Sequence, residues 1–214
     1  MTLIVNEIFY SIQGESLYAG LPCIFLRLTG CNLRCTYCDT RYAYAEGTTM
    51  EIPEIMDRLA DYHCRLVEIT GGEPLYQKDT PLLVRALIAK GYTVLLETNG
   101  TYDISRLDQR CIKIIDVKCP DSGESRKNEP GNLNQLSPND QVKFVIGDRK
   151  DYIYARDIAK RIPDEFPPGH ILFSPVHGKL AVQILAEWIL HDNLNVRLHL
   201  QLHKFIWPEK DRGV

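Results

Sequence analysis

Three consecutive stretches decide the fold: Leu66-Val-Glu-Ile-Thr-Gly-Gly-Glu-Pro74, Thr80-Pro-Leu-Leu-Val-Arg-Ala-Leu-Ile-Ala-Lys90 and Gly91-Tyr-Thr-Val-Leu-Leu-Glu97. Leu66–Thr70 is a short, nearly continuous apolar run closed by two glycines, the pattern of a strand buried on both faces. Pro81–Lys90 has helical character, with Thr80 as its expected cap, Pro81 in the first turn and Gly91 just past the end. Thr93–Glu97 is a second buried run. Strand, helix and strand in that order predict a right-handed βαβ unit and therefore a parallel sheet.

The same alternation extends in both directions. Further strands are expected at Cys23–Thr29, Ile112–Lys118, Gln141–Gly147, His170–Ser174 and Val196–Leu202. Helices are expected at Ile52–His63, Asp151–Arg161 and Lys179–His191. Pro120–Pro138, rich in Ser, Asn, Gly and Pro, is expected to be a long surface loop. A full eight-fold barrel typically needs about 250 residues. This α/β chain of 214 residues therefore predicts a partial barrel or an open parallel sheet with helices outside. No repeat or linker divides it, so residues 1–214 are expected to form a single domain.

The composition narrows the partners. With 44% hydrophobic residues, 25% charged residues and a net charge of −3, disorder and coiled coil are excluded. Nothing in that balance calls for nucleic acid or a membrane surface. No apolar run reaches 18 residues and the N-terminus has no basic leader, so a cytoplasmic protein is expected. The unusual count is seven cysteines, of which Cys31, Cys35 and Cys38 lie within eight residues. In a reducing compartment such a cluster points to a metal or to catalysis before a disulfide. Cys23, Cys64, Cys111 and Cys119 are expected to pack as small hydrophobes.

Ligands of parallel α/β sheets collect where the strands end at their C-termini. Cys31, Gly71-Gly72-Glu73, Thr98-Asn99, Lys118 to Asp121 and Ser174-Pro175 all follow expected strands and so converge on one mouth. The C-x3-C-x2-C loop lets three thiolates wrap one metal centre. A four-iron cluster held by three cysteines leaves one iron open. The alternative is a closed zinc site, completed by Cys64 or by the imidazole of His63.

Cys31-Asn-Leu-Arg-Cys35-Thr-Tyr-Cys38 with Tyr37 before its last cysteine resembles the signature of radical S-adenosylmethionine enzymes, and Thr70-Gly71-Gly72-Glu73-Pro74 resembles their second motif. Asn6-Glu7-Ile8-Phe9, Ser11-Ile12-Gln13-Gly14-Glu15-Ser16, Phe25-Leu26-Arg27-Leu28, Cys38-Asp39-Thr40 and Gln201-Leu202-His203-Lys204 resemble one family within it, the 7-carboxy-7-deazaguanine synthases. The likeness also takes in Trp207 and the terminal Arg212-Gly213-Val214, so it spans the chain.

The resemblance implies a compact, incomplete TIM-like barrel, a homodimer, and an electron donor such as a flavodoxin. The implied reaction contracts 6-carboxy-5,6,7,8-tetrahydropterin to 7-carboxy-7-deazaguanine with loss of ammonia, for queuosine and other deazapurines. It begins with hydrogen abstraction from C6 by a 5′-deoxyadenosyl radical, and no side chain is assigned as nucleophile or base. The implied cofactors are a [4Fe–4S] cluster on Cys31, Cys35 and Cys38, S-adenosylmethionine, and Mg2+ on Thr40. S-adenosylmethionine would lie against Tyr37, Cys38, Asp39, Gly72, Glu73, Lys118, Pro120, Ser174, Pro175, Val176 and His177. The substrate would meet Ile12, Gln13, Gly14, Glu15, Arg27, Thr70, His203 and Val214.

Each role has a plainer counterpart in the residues themselves. A carboxylate such as Glu15 accepts two hydrogen bonds from an aminopyrimidinone edge. Arg27, on an apolar strand, serves either an internal ion pair or the substrate carboxylate. Thr40 is otherwise a turn cap, and His203 otherwise a structural residue on one strand with His199. Two rival functions stand beside the synthase: an activase that makes a glycyl radical on a partner protein, and a non-catalytic zinc module.

Overall fold

The computed structural model describes all 214 residues. The expected βαβ unit is there: β4 is Leu66–Gly71, α2 is Thr80–Ala89 and β5 is Thr93–Thr98, with β4 and β5 parallel. Its cap differs from expectation. Asp79 is the residue before the helix, and Thr80 lies inside the first turn, fully buried, its hydroxyl donating to the Pro74 carbonyl at 2.6 Å. Thr80 thus ties the helix start back to the Gly-Gly-Glu turn instead of capping the helix.

Around this unit β2 (Pro22–Leu28), β6 (Ile112–Asp116), β7 (Gln141–Ile146), β8 (Ile171–Pro175) and β9 (Arg197–Leu198) complete a parallel array. Its order is β2-β4-β5-β6-β7-β8-β9. Helices α1 (Ile52–Ala60), α3 (Arg149–Ala159) and α4 (Val182–His191) join α2 as connections. Two strands fall outside the expected set: β1 (Thr2–Ile12) runs antiparallel to β2, and β3 (Thr48–Glu51) antiparallel to β1. They extend one edge to nine strands, and no pairing joins the two edges, so the barrel is open. Only the start of β1 alternates cleanly, with Leu3 and Val5 buried between exposed Thr2 and Ile4. A register shift between Val5 and Glu7 then breaks the two-residue period.

The expected strand Val196–Leu202 is cut short. After the His199 amide bonds the Phe173 carbonyl, the chain leaves the sheet, and the Leu202 amide donates instead to the Gly14 carbonyl at 2.8 Å. There it forms the short helix α5 (Leu202–Ile206), so His203 sits on a helix and not on a strand with His199. The Pro120–Pro138 stretch is also more built than a surface loop. It makes three short segments of 3-10 helix, and buried Asn132 donates to the carbonyls of Gly100 and Tyr102.

The main apolar core lies between sheet and helices, with Ile69, Leu83, Leu87, Leu96 and Phe144 wholly buried. The inner face is layered. Towards the N-terminal ends it is apolar, with Cys23, Phe25, Leu66, Leu95, Ile112 and Ile114 in one cluster. Towards the C-terminal ends the same inward register delivers Glu68, Glu97, Asp116 and Lys143. No helix is long and apolar enough to cross a membrane.

The turn after β4 packs against the loop after β2 without side chains between them. The Gly72 amide donates to the Leu28 carbonyl at 3.1 Å and the Glu73 amide to the Gly30 carbonyl at 2.8 Å. A Cβ on Gly72 would overlap the Gly30 carbonyl and the Cys31 Cβ, both held by backbone. Gly72→Ala should therefore cost about 1–3 kcal/mol by overpacking, read by urea unfolding. It should also reduce iron incorporated per chain on reconstitution.

Candidate active site

The C-terminal ends of the strands surround a cavity of about 360 Å3. Cys31, Cys35 and Cys38 line it together, each half-buried and none in a disulfide. The loop that carries them is clamped to the turn after β6. The Arg34 amide donates to the Glu124 carboxylate at 2.6 Å, and the Thr36 hydroxyl to the Asp121 carbonyl at 2.7 Å. At the sulfur of Cys31 the Leu33 amide donates at 3.4 Å and the Asn99 side-chain amide at 3.9 Å. Burial pushes the Cys35 thiol up to about 11 and raises Cys31 as well. Bound iron reverses that preference, since a coordinating thiol is deprotonated outright.

No three His, Cys, Asp or Glu side chains converge tightly enough to hold a single ion. The zinc alternative fails on position too. Cys64 lies next to the start of β4, its thiol donating to the Pro22 and Leu66 carbonyls, at the opposite end of the strands from Cys31. His63 precedes it at that same end. Three thiols around one open cavity suit a larger centre with one unligated position.

Below the cysteines lies the charged layer. Lys143 of β7 contacts Glu15 at 2.8 Å, the Glu97 carboxylate, and Asp116 at 3.7 Å, with 4% of its side chain exposed. Burial would lower its ammonium, but the carboxylates outweigh it and raise it well above the ordinary lysine range. Burial would likewise raise Glu15, yet Lys143, His199 and His203 hold it well below the usual carboxylate range. Lys118 pairs with Asp116 at 2.8 Å. Gln13 donates to Glu68 and accepts from the Glu15 amide at 3.0 Å, which fixes which way its amide points.

The segment after β9 covers this layer. Gln201 donates to the second oxygen of Glu15 at 2.8 Å, Lys204 pairs with Asp39 at 3.2 Å, and His203 packs onto Gly14 so closely that a Cβ there would overlap its ring. Arg212 pairs with Glu46 at 2.9 Å and lies over the Tyr42 ring, leaving Val214 at the cavity wall.

Most residues expected at the site line this one cavity. They are Ile12, Gln13, Gly14, Glu15, Arg27, Tyr37, Asp39, Thr40, Thr70, Gly72, Lys118, Val176, His177, His203 and Val214, with the three cysteines. Arg27 bonds Glu7 through Nε at 2.7 Å, and Tyr42 donates to the same oxygen, so the internal ion pair exists within the cavity wall. Thr40 stands before a 3-10 turn but makes no side-chain cap, its hydroxyl donating to Asp39 at 2.8 Å.

Four expected residues are placed elsewhere. Pro120, Ser174 and Pro175 do not reach the cavity wall. Ser174 is buried with its hydroxyl unpartnered, while its register partner Val145 on β7 lines the wall. Glu73 turns away. Wholly buried, it accepts from the amides of Leu75 and Asn99 at 2.9 and 2.6 Å and from the Thr98 hydroxyl at 2.8 Å. Burial pushes its carboxyl up to about 7 against those three donors. It braces the β5 turn and does not line the cavity. Among the residues not expected are Glu68, Glu97, Asp116 and Lys143, all within apolar strands. Their common signal is a charge at an inward position near the C-terminal end of a strand.

Comparison with known proteins agrees with this geometry. Residues 26–117 match the radical SAM superfamily. A 7-carboxy-7-deazaguanine synthase of Koribacter versatilis is 45% identical over 98% of this chain and 99% of its own. One from Chlorobaculum tepidum is 45% identical over 98% and 96%. The chain belongs to the 7-carboxy-7-deazaguanine synthase family.

The crystal structure of QueE from Escherichia coli superposes with a TM-score of 0.81, covering 95% of both chains at 23% identity, which confirms the partial-barrel fold. Like other members of its superfamily, this synthase-family chain uses a [4Fe–4S] cluster and S-adenosylmethionine. The half-buried thiols of the cavity, with amides aimed at Cys31, suit the cluster.

Glu73→Ala should leave two buried amides and a hydroxyl without acceptors, costing about 2–4 kcal/mol in urea unfolding. The effect should be larger at pH 5.5 than at pH 8.5. A carboxyl raised in the fold contributes most below its unfolded value and loses that contribution as pH rises through about 7.

Proposed function

We propose that this chain converts 6-carboxy-5,6,7,8-tetrahydropterin to 7-carboxy-7-deazaguanine with release of ammonia. The observation that carries this reading is the union of a three-cysteine loop and a charged floor in one cavity, in a chain of this family. When bound, the cluster and S-adenosylmethionine would supply the radical chemistry, abstraction of hydrogen from C6 of the pterin. Everything else falls to the protein: binding, orientation and exclusion of water.

Cys31, Cys35 and Cys38 hold the cluster. Gly72, lacking a side chain, and Tyr37, Asp39, Val176 and His177 give the wall against S-adenosylmethionine. Arg27 has one guanidinium edge on Glu7 and offers its terminal nitrogens to the substrate carboxylate. Thr40 and the adjacent Asp39 present hard oxygen donors suited to Mg2+, which keeps several of its waters and takes substrate oxygens. Gln13, Gly14 and Glu15 approach the heterocycle from the β1–β2 turn, while His203 and Val214 close the cavity from the C-terminus.

A single domain over residues 1–214, a homodimer, a flavodoxin-type electron donor and a cytoplasmic setting belong to the same reading. An activase for a partner protein fits the site less well. It leaves the enclosed Glu15–Lys143–Gln201 floor and Arg27 without a task.

Anaerobic, reduced and reconstituted protein should turn over the tetrahydropterin in a chromatographic assay with Mg2+ present. Omitting Mg2+ should slow it, and Thr40→Ala should lower turnover at least about tenfold while raising the Mg2+ needed. Intact cluster and S-adenosylmethionine cleavage without any deazaguanine would sink the proposal.

A further inference from the structure

The charged floor holds more carboxylates than its cations satisfy. Glu15, Glu97 and Asp116 all reach Lys143, and Asp116 also has Lys118. Glu68 has neither. It stands on the inner face of β4, 4% exposed yet lining the cavity, and its only hydrogen-bond partner is the Gln13 side-chain amide. Around it stand Glu97 from β5, Glu15 from the β1–β2 turn, Lys143 from β7 at longer range, and the Cys23 thiol from β2. Burial first, then the charges of Glu97 and Glu15, push its carboxyl up to about 8, with the Gln13 amide and Lys143 opposing.

A carboxylate without a cation, buried beside two others, keeps its proton. Gln13 cannot turn its oxygen towards Glu68, because that oxygen already accepts from the Glu15 amide. The amide therefore donates to Oε2, and the hydroxyl of the acid falls on Oε1. No protein acceptor meets Oε1, so its outlet is the cavity.

We propose that Glu68 works as a neutral carboxylic acid whose Oε1 donates a hydrogen bond to an acceptor atom, a ring carbonyl or ring nitrogen, of the heterocyclic substrate. This rests on the pterin reading above. It makes the floor two-sided: ionised groups accept from the amino face of the ring, and one protonated acid donates to its acceptor face. A ligand presenting donors on both faces would meet an unpaired acid proton, so Glu68 acts in specificity.

Infrared difference spectroscopy across pH reads the acid without turnover. Beyond the Glu73 signal common to both proteins, wild type at pH 7 should show a buried carboxylic C=O band that Glu68→Gln lacks and that disappears above about pH 8. Activity gives the second readout. Wild-type kcat/KM should fall on an alkaline limb near pH 8, whereas Glu68→Gln, which still donates, should stay within about threefold at pH 7 and lose that limb. Glu68→Ala should raise KM at least about tenfold at pH 7. Unfolding provides a control: Glu68→Gln should gain Tm over wild type as pH rises from 5 to 9, since a raised carboxyl loses its stabilising proton there. Absence of the band at pH 7, or an unchanged alkaline limb in Glu68→Gln with normal turnover, overturns the role of Glu68. No pterin turnover by wild type at any pH, with S-adenosylmethionine cleavage intact, overturns the substrate reading and the acceptor assigned here with it.

Discussion

The lysine at position 143 holds the interior together. Its ammonium sits among Glu15, Glu97 and Asp116, which come from the β1–β2 turn, β5 and β6, so one charge joins four separate parts of the barrel. Without it three carboxylates would face each other in a region shielded from water, where like charges repel strongly. The open barrel makes this contact more consequential. Strand pairing does not close the ring, so the β1–β2 turn is tied to the far strands through Lys143–Glu15, Glu15–Gln201 and the Gly14–Leu202 backbone bond. Closure by side chains leaves the mouth accessible to a ligand while keeping its floor fixed.

The cysteine loop depends on a different kind of restraint. Its position follows from backbone bonds between the turns after β2 and β4, made close by Gly72 and braced on the β5 side by Glu73. Three strand ends are thereby locked to each other before any cofactor binds. The motif carboxylate contributes rigidity here. Its oxygens accept from Leu75, Asn99 and Thr98, and the cavity wall beside it is made by Gly72 and by the turn that Glu73 supports.

Much of this was legible in the sequence because the signals were local. The β4–α2–β5 unit announced itself through apolar runs, Pro81 and Gly91, and the cysteine spacing placed Cys31, Cys35 and Cys38 on one loop. What escaped was set by long-range geometry. β1 pairs antiparallel at the edge with a register shift, so its period is broken where a strand pattern would be sought. The segment after His199 looks like strand in composition, but the Gly14 carbonyl captures it across the mouth. The direction of Glu73 depended on three donors arriving from β5 and from its own turn, which no spacing rule contains.

The charged floor is the instructive case. Lys143 and Glu68 read as isolated polar residues inside apolar strands, and a two-residue period gives two faces without naming the inner one. Once Phe25, Leu95 and Ile114 are seen in the inner cluster, the positions two residues further along each strand follow: Arg27, Glu97 and Asp116. Leu66 points the same way to Glu68. The inward face thus changes from apolar to charged within one step of two residues on four strands. That step divides the part of the barrel that stabilises the fold from the part that meets a ligand. It also accounts for the surplus acid: three strands supply an inward carboxylate at this level and the β1–β2 turn adds Glu15, and with Arg27 held by Glu7 only Lys143 and Lys118 answer them.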